Sequence, residues 1–163
     1  MSTLCQSLVI ICGSDLRRAR EARTEATIAG AVESVRAQTF TDRRLIVVAA
    51  DGADYEALLG RSGLADSRFV FLDSGGVGSG ASRARNVGLA AVPTRYAALL
   101  DADDRLKPRK LERLVTALAG HPIVTTAIEV TDADLKPLRR VGAGAARLLP
   151  PGRHQWVNLS LDA

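Results

Sequence analysis

The chain has 163 residues, 47% of them apolar and 25% charged, which suits one globular domain with a sizeable core and excludes a disordered or fibrous chain. The formal net charge of +4 is mild and comes mostly from scattered arginine, so it favours anionic ligands such as nucleotide phosphates. With only 4% aromatic residues there is no base-stacking platform, and no nucleic-acid partner is expected.

Cys5 and Cys12 are the only cysteines, and with no second ligand pair they do not make a zinc site. Cys12 reads as a small buried hydrophobe, and the expected compartment is reducing. The start has no basic segment, and its apolar run, Leu8 to Cys12, is too short for a signal peptide or a membrane span. A cytoplasmic location is expected, and membrane association is not indicated in this chain.

Leu8–Cys12 has the continuous apolar pattern of a strand buried on both faces. After the loop Gly13-Ser14-Asp15 and an arginine-rich stretch, Ile28, Ala31, Val32 and Val35 fall at helical spacing, predicting a helix from Thr24 to near Gln38. Leu45–Ala49 predicts a second strand, Asp54 a cap for a short helix through Leu59, and Arg68–Leu72 a third strand. The glycine-rich segment Ser74–Gly80 reads as a flexible connection into a helix containing Ala84, Val87 and Ala91, ended by Pro93. Tyr96–Leu100 predicts a fourth strand that runs into an acidic turn with Asp101, Asp103 and Asp104. Pro108 suits the first position of a helix whose apolar face is Leu111, Leu114, Val115 and Leu118. Ile123–Val130 predicts a fifth strand, Asp132–Lys136 a turn, and Pro137–Val141 an edge strand; the tail from Gly142 has no clear periodicity.

Strands alternating with helices imply right-handed crossovers and a mainly parallel sheet covered by helices. Ligands bind such sheets outside the carboxyl ends of the strands. Gly13-Ser14-Asp15, Asp51 and Asp101–Asp104 each follow a strand, so all three clusters fall on one rim. Three carboxylates held together at a strand end are costly without a cation. In an extended chain, Asp101 and Asp103 share a side, and Asp104 points away or caps the next helix. Hard cations such as Mg²⁺ or Mn²⁺ suit such oxygen ligands shared with a diphosphate. The plainer reading is that the acids end a strand and cap a helix. Asp132-Ala133-Asp134 has the same spacing in a surface turn and is assigned no metal.

Four segments carry a resemblance: Ala31–Asp42; Leu45-Ile-Val-Val-Ala-Ala-Asp-Gly52; Gly80-Ala-Ser-Arg-Ala-Arg-Asn-Val-Gly88; and Tyr96-Ala-Ala-Leu-Leu-Asp-Ala-Asp-Asp104 with Pro108 and Lys110-Leu111-Glu112. Together they resemble family 2 glycosyltransferases of the GT-A fold, in the family's order and at about its spacings, over residues 7–135. The resemblance implies an α/β chain with a GT-A, Rossmann-like α/β/α sandwich over 1–141. Residues 142–163 are then an irregular arm or the truncated start of an acceptor region. It implies an enzyme that transfers a sugar, with inversion, from a nucleotide-diphosphate sugar to an unknown acceptor. By position, Asp51 hydrogen-bonds the base, Asp101 lies near the sugar and ribose, and Asp103 ligates a Mg²⁺ or Mn²⁺, with Asp101 and Asp104 as further candidate ligands. Arg85 and Asn86 either touch the donor or brace the acidic loop, and Arg83 is expected to face solvent.

The sequence departs from the family pattern in three places. Cys12-Gly13-Ser14-Asp15 replaces the segment that brings an aromatic wall to the base. Ala50 replaces the first of two acids, leaving Asp51. No acid in the tail matches the family's catalytic base, so that residue stays unidentified and the chain reads as a donor-binding part. The alternative is a non-catalytic nucleotide-sugar-binding or degenerate transferase module. Gly76-Val-Gly-Ser-Gly-Ala81 also fits a dinucleotide fingerprint, but it follows the third strand rather than the first, in a chain with 14 glycines.

Overall fold

The computed structural model describes residues 7–12, 21–119, 121, 123–132 and 134–142, with only the backbone described for 7–12 and 21–25. The elements run β1 (Ser7–Cys12), α1 (Glu21–Arg36), β2 (Arg43–Ala49), α2 (Tyr55–Arg61), β3 (Phe69–Asp73), α3 (Gly80–Ala90), β4 (Tyr96–Asp101), α4 (Lys110–Leu118), β5 (Ile128–Thr131) and β6 (Pro137–Val141). They divide into two compact units, Met1–Glu112 and Arg113–Ala163, with the boundary inside α4.

In the first unit, β1 to β4 form one parallel sheet in the order β3-β2-β1-β4. The crossovers through α1 and α2 step outward in one direction, and the crossover through α3 returns past β2 and β1. Right-handed connections therefore put α1 and α2 on one face and α3 on the other. Strand parity agrees. Ile46, Val48 and Ala50 of β2 and its exit share a core with Ala84 of α3, joined by Leu72, Val87, Val92 and Ala97. Leu45 and Val47 point the other way and are equally buried. The apolar stripe of α1, Ile28, Ala31, Val32 and Val35, is buried as its spacing predicts.

Two buried polar residues join α1 to its surroundings. Arg43 donates to the carbonyls of Phe40 (2.6 Å) and Arg36 (2.7 Å), serving the exposed carbonyls beyond the helix end. Gln38, 4% exposed, donates to the Ser34 and Lys107 carbonyls at 3.0 and 2.8 Å and accepts from the Leu111 amide at 3.0 Å. Ser34 Oγ accepts from the Leu106 amide. The segment after β4 is thus held on α1 by hydrogen bonds. Pro108 lies in the turn before α4 rather than at its first position, and its carbonyl accepts from Thr39 N at 2.9 Å.

In the second unit, β5 and β6 form an antiparallel hairpin with the Asp132 turn between them. The Asp132 carboxylate accepts from the amides of Asp134 and Lys136, which commits it to the turn. The strand expected over Ile123–Val130 is shorter, because only Ile128–Thr131 has a ladder partner. The expected boundary at 141/142 leaves an arm that, beyond Gly142, lies outside the described residues. Among the described residues no helix is long and apolar enough to cross a membrane.

Candidate functional site

β1 pairs with both β2 and β4, so the strand order reverses between β1 and β4. That reversal opens a crevice at the carboxyl ends of these strands. Asp101 closes β4 directly opposite Cys12, the last residue of β1. Asp51 follows β2 on the other side of β1. The ends of β2 and β4 are thus two strand spacings, about 10 Å, apart. The third rim cluster, Gly13-Ser14-Asp15, lies outside the described residues.

Asp51 is half-buried and held at both oxygens. Oδ1 accepts from the Ala53 amide at 3.1 Å, and Oδ2 accepts from the Tyr55 hydroxyl at 2.7 Å. Tyr55 opens α2 and is 3% exposed, and Leu58 and Leu59 continue its buried face. Burial and the bond to Asp51 push the Tyr55 phenol well above its usual range. The expected cap is present: Asp54 Oδ1 accepts from Ala57 N at 2.9 Å.

The glycine-rich loop is tied down, contrary to the expectation of a flexible connection. Ser74, 2% exposed, donates through Oγ to the Ala49 carbonyl at 2.8 Å and also meets Ser79 Oγ. Gly78 N donates to the Ala50 carbonyl at 3.0 Å, and Asp73 Oδ1 accepts from Gly75 and Gly76. These bonds bind the loop to the exit of β2 just before Asp51. Gly52, at φ +79°, lies so close to Val77 that a Cβ there would sit 3.0 Å from its Cγ2. Val77 itself is 63% exposed, an apolar side chain beside the Asp51 loop. Arg83 folds back and donates to the Ser74 carbonyl at 2.6 Å while staying exposed.

The acidic segment is not extended. The Asp104 amide donates to the Asp101 carbonyl at 3.0 Å, closing a four-residue turn with Ala102 fully buried inside it. The extended geometry in which Asp101 and Asp103 would share a side is therefore not the one present. Asp101 has the parity of Ala97, on the face covered by α3, so Arg85 of α3 reaches its Oδ1 at 2.6 Å. Asp103 lies exposed on the outer corner of the turn. Partial loss of solvent, then Asp103 and Asp101, hold the Asp104 carboxyl above its ordinary range, with Lys110 opposing. Lys110 is itself lowered by burial, with Asp104 opposing. Asp104 and Lys110, six positions on at the start of α4, therefore act on each other electrostatically. Asn86 is exposed, next to Arg85 on α3. Among the described residues no three acid, histidine or cysteine side chains converge as a ready metal cage.

Sequence reasoning missed Tyr55 and Gln38. Tyr55 was legible only as the first residue after a cap, and Gln38 only as a helix end. Both act through contacts that sequence distance hides.

The model for glycosyl transferase family 2 matches residues 20–158, most of the chain, and the chain belongs to that family. A curated relative, the succinoglycan biosynthesis protein ExoO of Rhizobium meliloti (strain 1021), is 32% identical over 127 residues. That match covers 76% of this chain but 36% of the relative, so the chain spans about a third of its length. S. aureus TarS 1-349 in complex with UDP-GlcNAc superposes with a TM-score of 0.64 at 15% identity, over 82% of this chain and 37% of that one. The mannosyltransferase PcManGT from Pyrobaculum calidifontis, in complex with GDP-Man and Mn²⁺, gives 0.62 at 16% identity, over 77% of this chain and 36% of that one. The architecture is the expected α/β GT-A fold.

Proposed function

We propose that this chain is the donor-binding part of a family 2 glycosyltransferase that takes a nucleotide-diphosphate sugar. The observation that carries this reading is the acidic turn Asp101–Asp104 at the strand-order reversal, with Asp51 across β1 from it. Asp51 accepts from an N–H of the base. Asp101, fixed by Arg85, lies beside the ribose and sugar, and Arg85 and Asn86 line the α3 side of the donor. UDP-GlcNAc and GDP-Man, bound by the two neighbours, exemplify the donor class.

Asp103 would hold a Mg²⁺ or Mn²⁺. The donor set fits such an ion: these metals take one or two carboxylates plus substrate phosphates rather than a full protein cage. Loss of solvent first, and then the charges of Asp103 and Asp101, raise the Asp104 carboxyl, and a nearby cation would relieve that repulsive part. When bound, the metal supplies Lewis-acid stabilisation of the departing diphosphate. Asp101 and Asp104 are the further candidate ligands. The ion pair of Asp101 with Arg85 leaves Asp103 as the principal one.

In the reaction, an acceptor oxygen or nitrogen attacks the anomeric carbon as the bond to the diphosphate oxygen breaks, with inversion and loss of the acceptor proton to a base. That base is not among the acids named above. A cytoplasmic setting goes with this reading, since it rests on a phosphorylated nucleotide-sugar donor. A non-catalytic nucleotide-sugar-binding or degenerate transferase module is the second reading, and Ala50, standing where the family has the first of two acids, speaks for it. Incubation with labelled UDP-, GDP- and dTDP-sugars and Mn²⁺ tests the proposal. Release or transfer of sugar, lost in Asp103→Ala, is expected. Tight binding with neither hydrolysis nor transfer selects the module instead.

A further inference from the structure

We infer that Tyr55 is the positioning residue for Asp51: its hydroxyl, delivered from the buried face of α2, sets the direction in which the Asp51 carboxylate meets a nucleobase. This rests on the reading of Asp51 given above and adds a residue to it.

The carboxylate of Asp51 is attached to a short loop next to Gly52, whose φ of +79° is a turn conformation, so its own backbone does not fix it through a strand or helix. Two donors fix it instead. Ala53 N reaches Oδ1, and Tyr55 Oη reaches Oδ2 at 2.7 Å. An ionised carboxylate has about four acceptor positions, so two such bonds set its plane and still leave a lone pair on each oxygen. The open positions match a base edge that offers an N–H donor.

Tyr55 is built to hold still. Its ring is 3% exposed, and it stands at the start of α2, on the same face as Leu58 and Leu59. The Asp54 cap fixes the backbone one residue before it. A phenol so placed has one hydroxyl proton to donate, and Asp51 receives it. The buried hydroxyl needs an acceptor, and the one it meets is the rim carboxylate, which it thereby orients. Phenylalanine fills the same space.

A double-mutant cycle separates the two roles. Affinities for UDP, GDP and dTDP, and for inorganic pyrophosphate, all with Mn²⁺, are measured by calorimetry for the full chain, Tyr55→Phe, Asp51→Asn and the double variant. We expect Tyr55→Phe to weaken the preferred nucleotide about five- to tenfold, the value of one hydrogen bond. Pyrophosphate should be unchanged, and the effect of Tyr55→Phe should fall below about twofold in the Asp51→Asn background, the signature of coupled residues. An equal loss for pyrophosphate, an undiminished loss in the Asp51→Asn background, or no loss at all overturns the inference while leaving the donor site standing. Failure of the unsubstituted chain to bind any nucleotide overturns both. A second measurement needs no variant. The chain has 2 tyrosines, so ring-labelled tyrosine gives two NMR signals. The Tyr55 signal should shift with the nucleotide and not with pyrophosphate; an unmoved signal contradicts the inference.

Discussion

The four aspartates of the rim differ in what each one touches, and those partners decide their roles. Asp51 receives Ala53 and Tyr55, Asp101 is paired with Arg85, Asp104 is opposed electrostatically by Lys110, and Asp103 stands exposed. Asp104 gives a prediction with a definite sign. Its folded pKa lies above the unfolded value of about 3.9, so its favourable contribution is complete below that value and is lost as pH rises through the folded pKa. At pH 7 it is on the unfavourable side of both, and Asp104→Asn should stabilise the fold there by up to about 1 kcal/mol, the scale of exposed charge interactions. The gain should vanish near pH 3, and thermal melts across pH read it. The identities of these acids were legible from their place after apolar strands. Of their partners, Arg85 was legible as a brace of the acidic loop, whereas Tyr55, which reaches Asp51 from the start of α2, was not. The tight turn removes the extended chain on which the alternation argument for Asp101 and Asp103 depends. Asp132 shows the opposite outcome for the same spacing, since its carboxylate is taken up by two amides.

At the scale of elements, helix ends and loops carry most of the tension between expectation and outcome. The stripe of α1 and the apolar run of β2 followed their periodicities closely, because period 3.6 and continuous apolar runs are strong signals. The fifth strand was overextended because β-branched composition describes a preference, whereas pairing with β6 decides the length. The glycine-rich loop read as slack because glycine content reports conformational freedom and not anchorage. Its amides and Ser74 hydroxyl instead bond to Asp73 and to the exit of β2. Two substitutions probe this scale. Gln38→Ala should cost about 2–3 kcal/mol in urea unfolding, because it strands the Leu111 amide and the Lys107 carbonyl. It should also weaken nucleotide binding, since the segment it anchors follows the acidic turn. Asp54→Ala should cost about 1 kcal/mol by the same measurement, through loss of the α2 cap.

At the scale of the molecule, the parallel order β3-β2-β1-β4 places chemistry at one rim and stability at the middle of the sheet. β2 has a paired strand on each side, and Leu45, Ile46, Val47 and Val48 are each no more than 2% exposed. Their amides should exchange with solvent among the slowest in the chain, and those of β6, exposed throughout, among the fastest. Membership of glycosyl transferase family 2 joins this sheet to a class of chemistry. What the chain itself does depends on whether its rim holds a metal-bridged donor. The most direct measurement is nucleoside diphosphate binding by calorimetry with and without Mn²⁺, for the chain and for Asp103→Ala. The account predicts binding that requires Mn²⁺ and falls at least about tenfold in the variant, the loss expected when a metal-held diphosphate loses its protein ligand. Nucleotide binding that is indifferent both to Mn²⁺ and to Asp103→Ala, or binding of NAD without metal, would contradict it.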